Sequence, residues 1–166
     1  MGVEEYAAAL RAGDGRQGPG LPPHYPTCFG CGPDAEAGLH LVAELDGTDV
    51  VTTYTFTDRH SGAPGIAHGG TVAALVDDLL GYLLFVAREP GVTRRLEIDY
   101  LLPVLVGVPY AVRARADRRE GRKLFVSCRG TSPEGVVTFR ATGLFVIVDI
   151  SHFANGGREG RGPVAL

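Results

Sequence analysis

The sequence predicts an α+β domain in which an antiparallel β-sheet wraps around one long central helix. Residues 71–87, TVAALVDDLLGYLLFVA, are long enough and rich enough in Ala and Leu for a helix, and they are apolar on nearly every face. Two short β-rich runs precede this segment and four follow it, giving the order ββαββββ. The strands are joined mostly by short turns with a single long helical crossover, which argues for an antiparallel sheet and against a doubly wound parallel one.

Leu39 to Leu45 and Val50 to Thr57 are the first two strands, joined by Asp46-Gly47-Thr48 as a hairpin connection. The helix must be buried, because no face of it is suited to water, and Glu89-Pro90-Gly91 ends it. From Val92 to Leu102 the chain alternates, with Leu96, Ile98 and Tyr100 on one side and Arg95, Glu97 and Asp99 on the other. Gly107 and Pro109 introduce the next strand, where Tyr110, Val112, Ala114 and Ala116 alternate with Arg113, Arg115 and Asp117. Gly121 separates it from Lys123 to Thr131, and Ser132-Pro133-Glu134-Gly135 turns the chain into Val136 to Asp149. Only a strongly twisted sheet curling around the helix covers so much apolar surface, which is the hotdog architecture.

With 166 residues, 45% of them apolar, the chain has material for one packed domain. Its boundaries are read as a flexible arm over residues 1–27, the domain over 28–149 and a flexible tail over 150–166. Glycine and proline break up AGDGRQGPGLPPHYP in the arm, and Asn155-Gly156-Gly157 and Gly160-Arg161-Gly162-Pro163 do so in the tail. A net charge of -3 and a pI near 5.9 provide no basic footprint for nucleic acid or anionic lipid. There is no uninterrupted apolar run of membrane-spanning length and no basic, apolar leader, so a cytoplasmic protein with no membrane partner is expected.

Three cysteines, Cys28, Cys31 and Cys128, are too few for a disulfide framework. Cys28-Phe29-Gly30-Cys31 has the spacing of half a zinc site, but four ligands are needed and no second CxxC or HxxxH follows. No metal is therefore expected, and the segment reads as a tight glycine-rich turn.

Chemistry concentrates at the start of the helix. Ser61-Gly62-Ala63-Pro64-Gly65-Ile66-Ala67-His68-Gly69-Gly70 leads into it, and the first helical N–H groups lack intrahelical partners at the positive end of the dipole. Asp77 and Asp78 interrupt the apolar helix about two turns later. The seven-residue step from Gly70 returns Asp77 to nearly the same face, so Asp77 is the candidate acid; Asp78 is expected to meet solvent or an arginine such as Arg94 or Arg95.

The run Gly65-Ile66-Ala67-His68-Gly69-Gly70, Asp77 nine residues after the histidine, and Thr93 sixteen beyond that aspartate resemble the acyl-coenzyme A thioesterases of the hotdog superfamily. The branch is the one related to phenylacetate-pathway and 4-hydroxybenzoyl-coenzyme A thioesterases, and the resemblance runs from about Cys28 to Val148. The Cys-Phe-Gly-Cys-Gly segment shares in it. The resemblance implies that the Gly69 N–H polarises a thioester carbonyl, that His68 supports the turn and lines the site, and that Asp77 acts as general base or nucleophile. Thr93 would orient water, from the partner subunit of a homodimer or a dimer of dimers. The substrate would be an acyl-coenzyme A or acyl-carrier thioester, with no cofactor beyond the coenzyme A of the substrate. Gly70 and Ser61 are candidate substrate contacts. Arg119, Arg122 and Lys123 flank the Gly121 turn as a basic lip for phosphates, with a solvated hairpin as the plain alternative. Leu75, Tyr82, Leu83 and Phe85 are candidates for an apolar acyl pocket or for simple core. Two rival functions share the scaffold: an acyl-thioester binding module without catalysis, and a pathway-specific hotdog lyase.

Overall fold

The computed structural model describes residues 3–12 and 20–157. The elements are α1 (Val3–Ala12), β1 (Glu44–Asp46), β2 (Asp49–Thr55), β3 (Ser61–Ala63), β4 (Ile66–Ala67), α2 (Gly69–Ala87), β5 (Gly91–Tyr100), β6 (Pro109–Glu120), β7 (Lys123–Thr131) and β8 (Val137–Ile147). Short 3-10 segments lie at Asp58–His60 and Ile150–Gly157. Six strands form one antiparallel sheet in the order β1-β2-β6-β7-β8-β5, and β3 pairs only with β4. Gly47, Gly121 and Gly135 take positive φ at the tight turns between β1 and β2, β6 and β7, and β7 and β8.

The sheet curls around α2, as the apolar run requires. Val72, Leu75, Val76, Leu79 and Leu80 of the helix are buried with Val50 and Phe56, with Val112 and Ala114 of β6, with Val126 of β7 and with Phe139 of β8. Each such side chain contributes about 1.5–3 kcal/mol of burial free energy. By length and composition α2 could cross a membrane, but here it is the core helix of the sheet. It ends as a left-handed cap: Arg88 has φ 58°, and its N–H reaches the Leu84 and Phe85 carbonyls. One stripe of α2, comprising Gly70, Ala73, Ala74 and Asp77, stays only partly covered.

One expectation needs correction. The first strand was expected from Leu39, but the ladder starts at Glu44. Leu39, Leu41 and Ala43 are indeed buried in alternation, yet the Leu39 and Leu41 amides donate to the Phe29 and Gly30 carbonyls and the Ala43 carbonyl accepts from Leu21. The partner of this segment is the CxxC turn instead of a strand. Within the described part of the arm read over 1–27, α1 buries Ala7 and Leu10, Tyr6 packs edge-on against Phe85 and Phe153, and His24 lies against Tyr82. Glycine and proline deny a segment regular hydrogen-bond ladders but do not prevent its side chains from docking. Residues 13–19 of that arm and 158–166 of the expected tail lie outside the described residues, and the tail's first part is the 3-10 segment Ile150–Gly157.

Candidate functional site

The start of α2 is held from both sides. The Ala67 amide donates to the Val104 carbonyl at 2.8 Å and the His68 amide to the His60 carbonyl at 2.7 Å, which delivers His68 to the N-cap in an extended conformation. Its Nδ1 accepts from the Gly70 N–H at 2.9 Å. His68 therefore supports the turn, and in doing so uses the amide of Gly70, a candidate substrate contact. The Gly69 N–H donates to no described residue, while its carbonyl accepts from the Tyr100 hydroxyl at 2.6 Å. Tyr100 was not a candidate, because pattern alone places it on the helix-facing side of β5 but not opposite Gly69. An open depression of 410 Å³ beside this amide is lined by Ile66, Val72, Tyr100, Leu102 and Val104. Ser61 lies on β3, opposite Ala67.

Asp77 meets Thr93 within one chain: the Thr93 hydroxyl donates to Asp77 Oδ1 at 2.9 Å. Simple alternation would put Thr93 on the outer face with Arg95, Glu97 and Asp99. The register explains why it is not there. Leu96, Ile98 and Tyr100 stand opposite Gly143, Ala141 and Phe139, and Thr93 stands opposite Phe145, which is inward-facing like Phe139 and Ala141. Between Thr93 and Arg95 the pairing shifts, so β5 carries a bulge at Arg94 that moves Thr93 to the helix side. Burial raises the Asp77 pKa, and the Thr93 hydrogen bond partly opposes that rise.

Gly69 and Asp77 are eight residues apart, so within one chain they are separated by about 12 Å along the helix axis. Sharing a face did not make them neighbours.

Asp78 meets neither solvent nor an arginine. Its Oδ1 lies 3.1 Å from His24 Nδ1 and accepts from Cys28 Sγ at 3.1 Å, with Cys31 Sγ at 3.7 Å. Burial raises the Asp78 pKa against the pull of His24. Burial alone would lower that of His24, but Asp78 and Cys28 bring it up to about 9. The CxxC turn is a turn, as read, but its thiols close on two groups the sequence reading did not associate with it.

The basic lip lies at the other end of the helix. Arg119 forks onto Glu89, with Nη2 to Oε1 at 2.9 Å, and its Nε donates to the Gly121 carbonyl. Glu89 follows the end of α2, so Arg119 lies about 27 Å from the level of Gly69 along the same chain, and Arg122 and Lys123 share its hairpin. Leu75, Tyr82, Leu83 and Phe85 are buried core.

An antiparallel sheet around one helix, with an unpaired amide at the helix start and a hydroxyl-bonded carboxylate halfway along it, defines a hotdog protein carrying groups suited to acyl chemistry. A family model described as Thioesterase superfamily matches residues 64–139. The chain is 32% identical over 120 residues to "Putative esterase PA0474" of Pseudomonas aeruginosa, covering 70% of this chain and 81% of that one. It is 36% identical over 89 residues to acyl-coenzyme A thioesterase THEM4 of Rattus norvegicus, a match over 53% of this chain that spans only 38% of the rat protein. The crystal structure of the thioesterase superfamily protein RHA08564 superposes with a TM-score of 0.68 at 29% identity, covering 72% of this chain and 60% of that one. The chain belongs to the thioesterase superfamily.

Proposed function

We propose that the protein hydrolyses an acyl-coenzyme A or acyl-carrier thioester at a site assembled between two copies of the chain. The contact between Thr93 and Asp77 carries this reading, because a bulge in β5 places a hydroxyl against a partly desolvated carboxylate. A base needs a raised pKa and a group that fixes the attacking water, and this pair supplies both. Water held by Thr93 loses a proton to Asp77 as its oxygen adds to the thioester carbon. The Gly69 N–H stabilises the oxyanion, and collapse expels the thiolate, which takes up a proton to leave as the thiol.

The 12 Å estimated between Gly69 and Asp77 supports a two-chain site, since both groups must reach one carbonyl. β5 is an edge strand of ten residues, and the half-covered stripe of α2 contains Asp77. Edge-to-edge pairing about a two-fold axis would cover both and set the helices antiparallel, Gly69 of one copy toward Asp77 of the other. The same pairing could carry the Arg119–Lys123 hairpin toward the coenzyme portion of a substrate seated mainly on the other copy. The name of the rat relative supports coenzyme A as the thiol.

Asp77→Asn tests the reading on a thioester panel varying in chain length and aromaticity. The variant should fold normally and lose about 10²-fold or more in kcat/KM. Wild-type rates in a folded Asp77→Asn protein, or tight binding of every thioester by the wild type without turnover, would overturn it.

A further inference from the structure

Beside the proposed hydrolytic site, and independent of it, lies a second cluster. From the convergence of His24 Nδ1, Cys28 Sγ, Cys31 Sγ and Asp78 Oδ1 we propose a structural zinc site that clamps the N-terminal segment to α2. These four atoms lie within 4.8 Å of one another. The individual separations are 3.1 Å for His24–Asp78, 3.1 Å for Cys28–Asp78, 3.3 Å for Cys31–His24 and 3.7 Å for Cys31–Asp78. Tetrahedral zinc, with bonds of about 2.3 Å to sulfur and about 2.0–2.1 Å to nitrogen or oxygen, sets its ligands about 3.3–3.8 Å apart. The Cys31–His24 and Cys31–Asp78 separations fall in that range and the other two lie just below it.

The sequence spacing fits as well. His24-x3-Cys28-x2-Cys31 provides three ligands from one short turn, and the fourth comes from the helix. Counting ligands along the sequence stopped at two because neither His24 nor Asp78 is part of a recognisable pair.

Burial indicates that something is needed there. The side chains of His24 and Asp78 are 14% and 8% exposed, and Tyr82 and Phe85 flank the imidazole with ring centroids 4.0 and 4.9 Å away. Asp78 Oδ2 and His24 Nε2 have no hydrogen-bond partner among the described residues. Protonated His24 can balance Asp78 through Nδ1, but it gives no reason for two thiols to converge on the same carboxylate, which a divalent cation supplies. The backbone is fitted to this approach. A Cβ on Gly30 would lie 2.1 Å from Asp78 Cγ, and one on Gly81 would lie 3.3 Å from His24 Cε1, so glycine is what lets the turn and the imidazole reach the helix. A Cys28–Cys31 disulfide would explain the two thiols but would require neither His24 nor Asp78.

The ligand set is closed, with two thiolates, one imidazole and one carboxylate and no position for substrate, which is the pattern of a structural site. On binding, the thiol protons of Cys28 and Cys31 pass to solvent and the neutral imidazole ligates through Nδ1. The metal would join residues 24–31 to the helix one residue from Asp77.

The test uses the full chain and no activity assay. Purified with zinc and dialysed against metal-free buffer, the wild type should retain about one zinc per chain by elemental analysis, and Cys28→Ser/Cys31→Ser and His24→Ala should retain almost none. Cys128→Ala, altering the buried thiol on β7, should keep the metal. Cobalt substitution of the wild type provides a readout that needs no variant: the thiolate-to-cobalt charge-transfer band and strong visible bands of tetrahedral coordination are expected. Wild-type protein that keeps no more zinc than the double serine variant and shows no cobalt–thiolate band would overturn the proposal. So would recovery of metal-free protein with Cys28 and Cys31 joined as a disulfide under reducing purification.

Discussion

In the proposed site Thr93 holds water, and it also tunes the acid beside it. Burial raises the pKa of Asp77, and the hydroxyl's donated hydrogen bond keeps that rise in check by stabilising the ionised form. Thr93→Val removes the brake, so the pKa of Asp77 should rise further. A general base works ionised, so the acid limb of the kcat/KM profile should move to higher pH, with rates rising as pH passes through the Asp77 pKa. Thr93→Ser should restore the wild-type limb. An unmoved acid limb in a folded Thr93→Val protein would show that the pair does not act as proposed. The stability consequence has a definite sign. A carboxyl whose folded pKa exceeds its unfolded value contributes stability that is fully present below the unfolded pKa and is lost as pH rises through the folded one. Asp77→Asn escapes this loss, so its melting temperature should equal or exceed that of the wild type at neutral pH, with the difference closing in acid.

At the scale of elements, what could be read from the sequence depended on whether the partner of a segment was local. α2 was legible because seventeen consecutive apolar-rich residues state their own burial, and the alternation in β6 and β5 names the inward faces. Support of the turn by His68 came from the resemblance, and its capping bond to Gly70 orders only neighbouring residues. The bulge at Arg94 was not, because it is a property of pairing with β8, and reading strict alternation through it put Thr93 on the solvent face. Asp78 was misplaced for the same reason: its partners lie about 50 residues away in a segment with no periodicity. The bulge offers its own test. Deleting Arg94 makes Thr93 and Arg95 adjacent, so regular alternation keeps Thr93 opposite Phe145 on the helix side and Arg95 on the outer side. In a protein that still melts cooperatively, activity should stay close to that of the wild type, because the hydroxyl keeps its place against Asp77. A fall to the level of Thr93→Val would show that the bulge does more than set the face on which Thr93 lies.

At the scale of the whole molecule, the sheet closes on one face only and leaves β5 as its long open edge, next to the half-covered stripe of α2. In the proposed dimer that edge is part of the chemistry, and two variants can separate a shared site from a self-contained one. Asp77→Asn removes the proposed base. Gly69→Pro removes the carbonyl-polarising N–H at low structural cost: Gly69 is the first residue of α2, where proline is well tolerated. His68 before it already has φ -65° and ψ 130°, the region a residue preceding proline prefers, and the nearest neighbour of a Cβ at Gly69 is the Tyr100 hydroxyl at 3.4 Å. Each homodimer should be impaired, Gly69→Pro by about 10²–10³-fold in kcat. Co-expressed with different tags and isolated as a heterodimer, the two chains contain one site in which both lesions meet and one in which an intact Gly69 faces an intact Asp77. About half the wild-type activity per dimer should return, as two-fold symmetry requires. If the groups instead acted within one chain, neither chain would hold a complete set, and the heterodimer would stay as inactive as its parents.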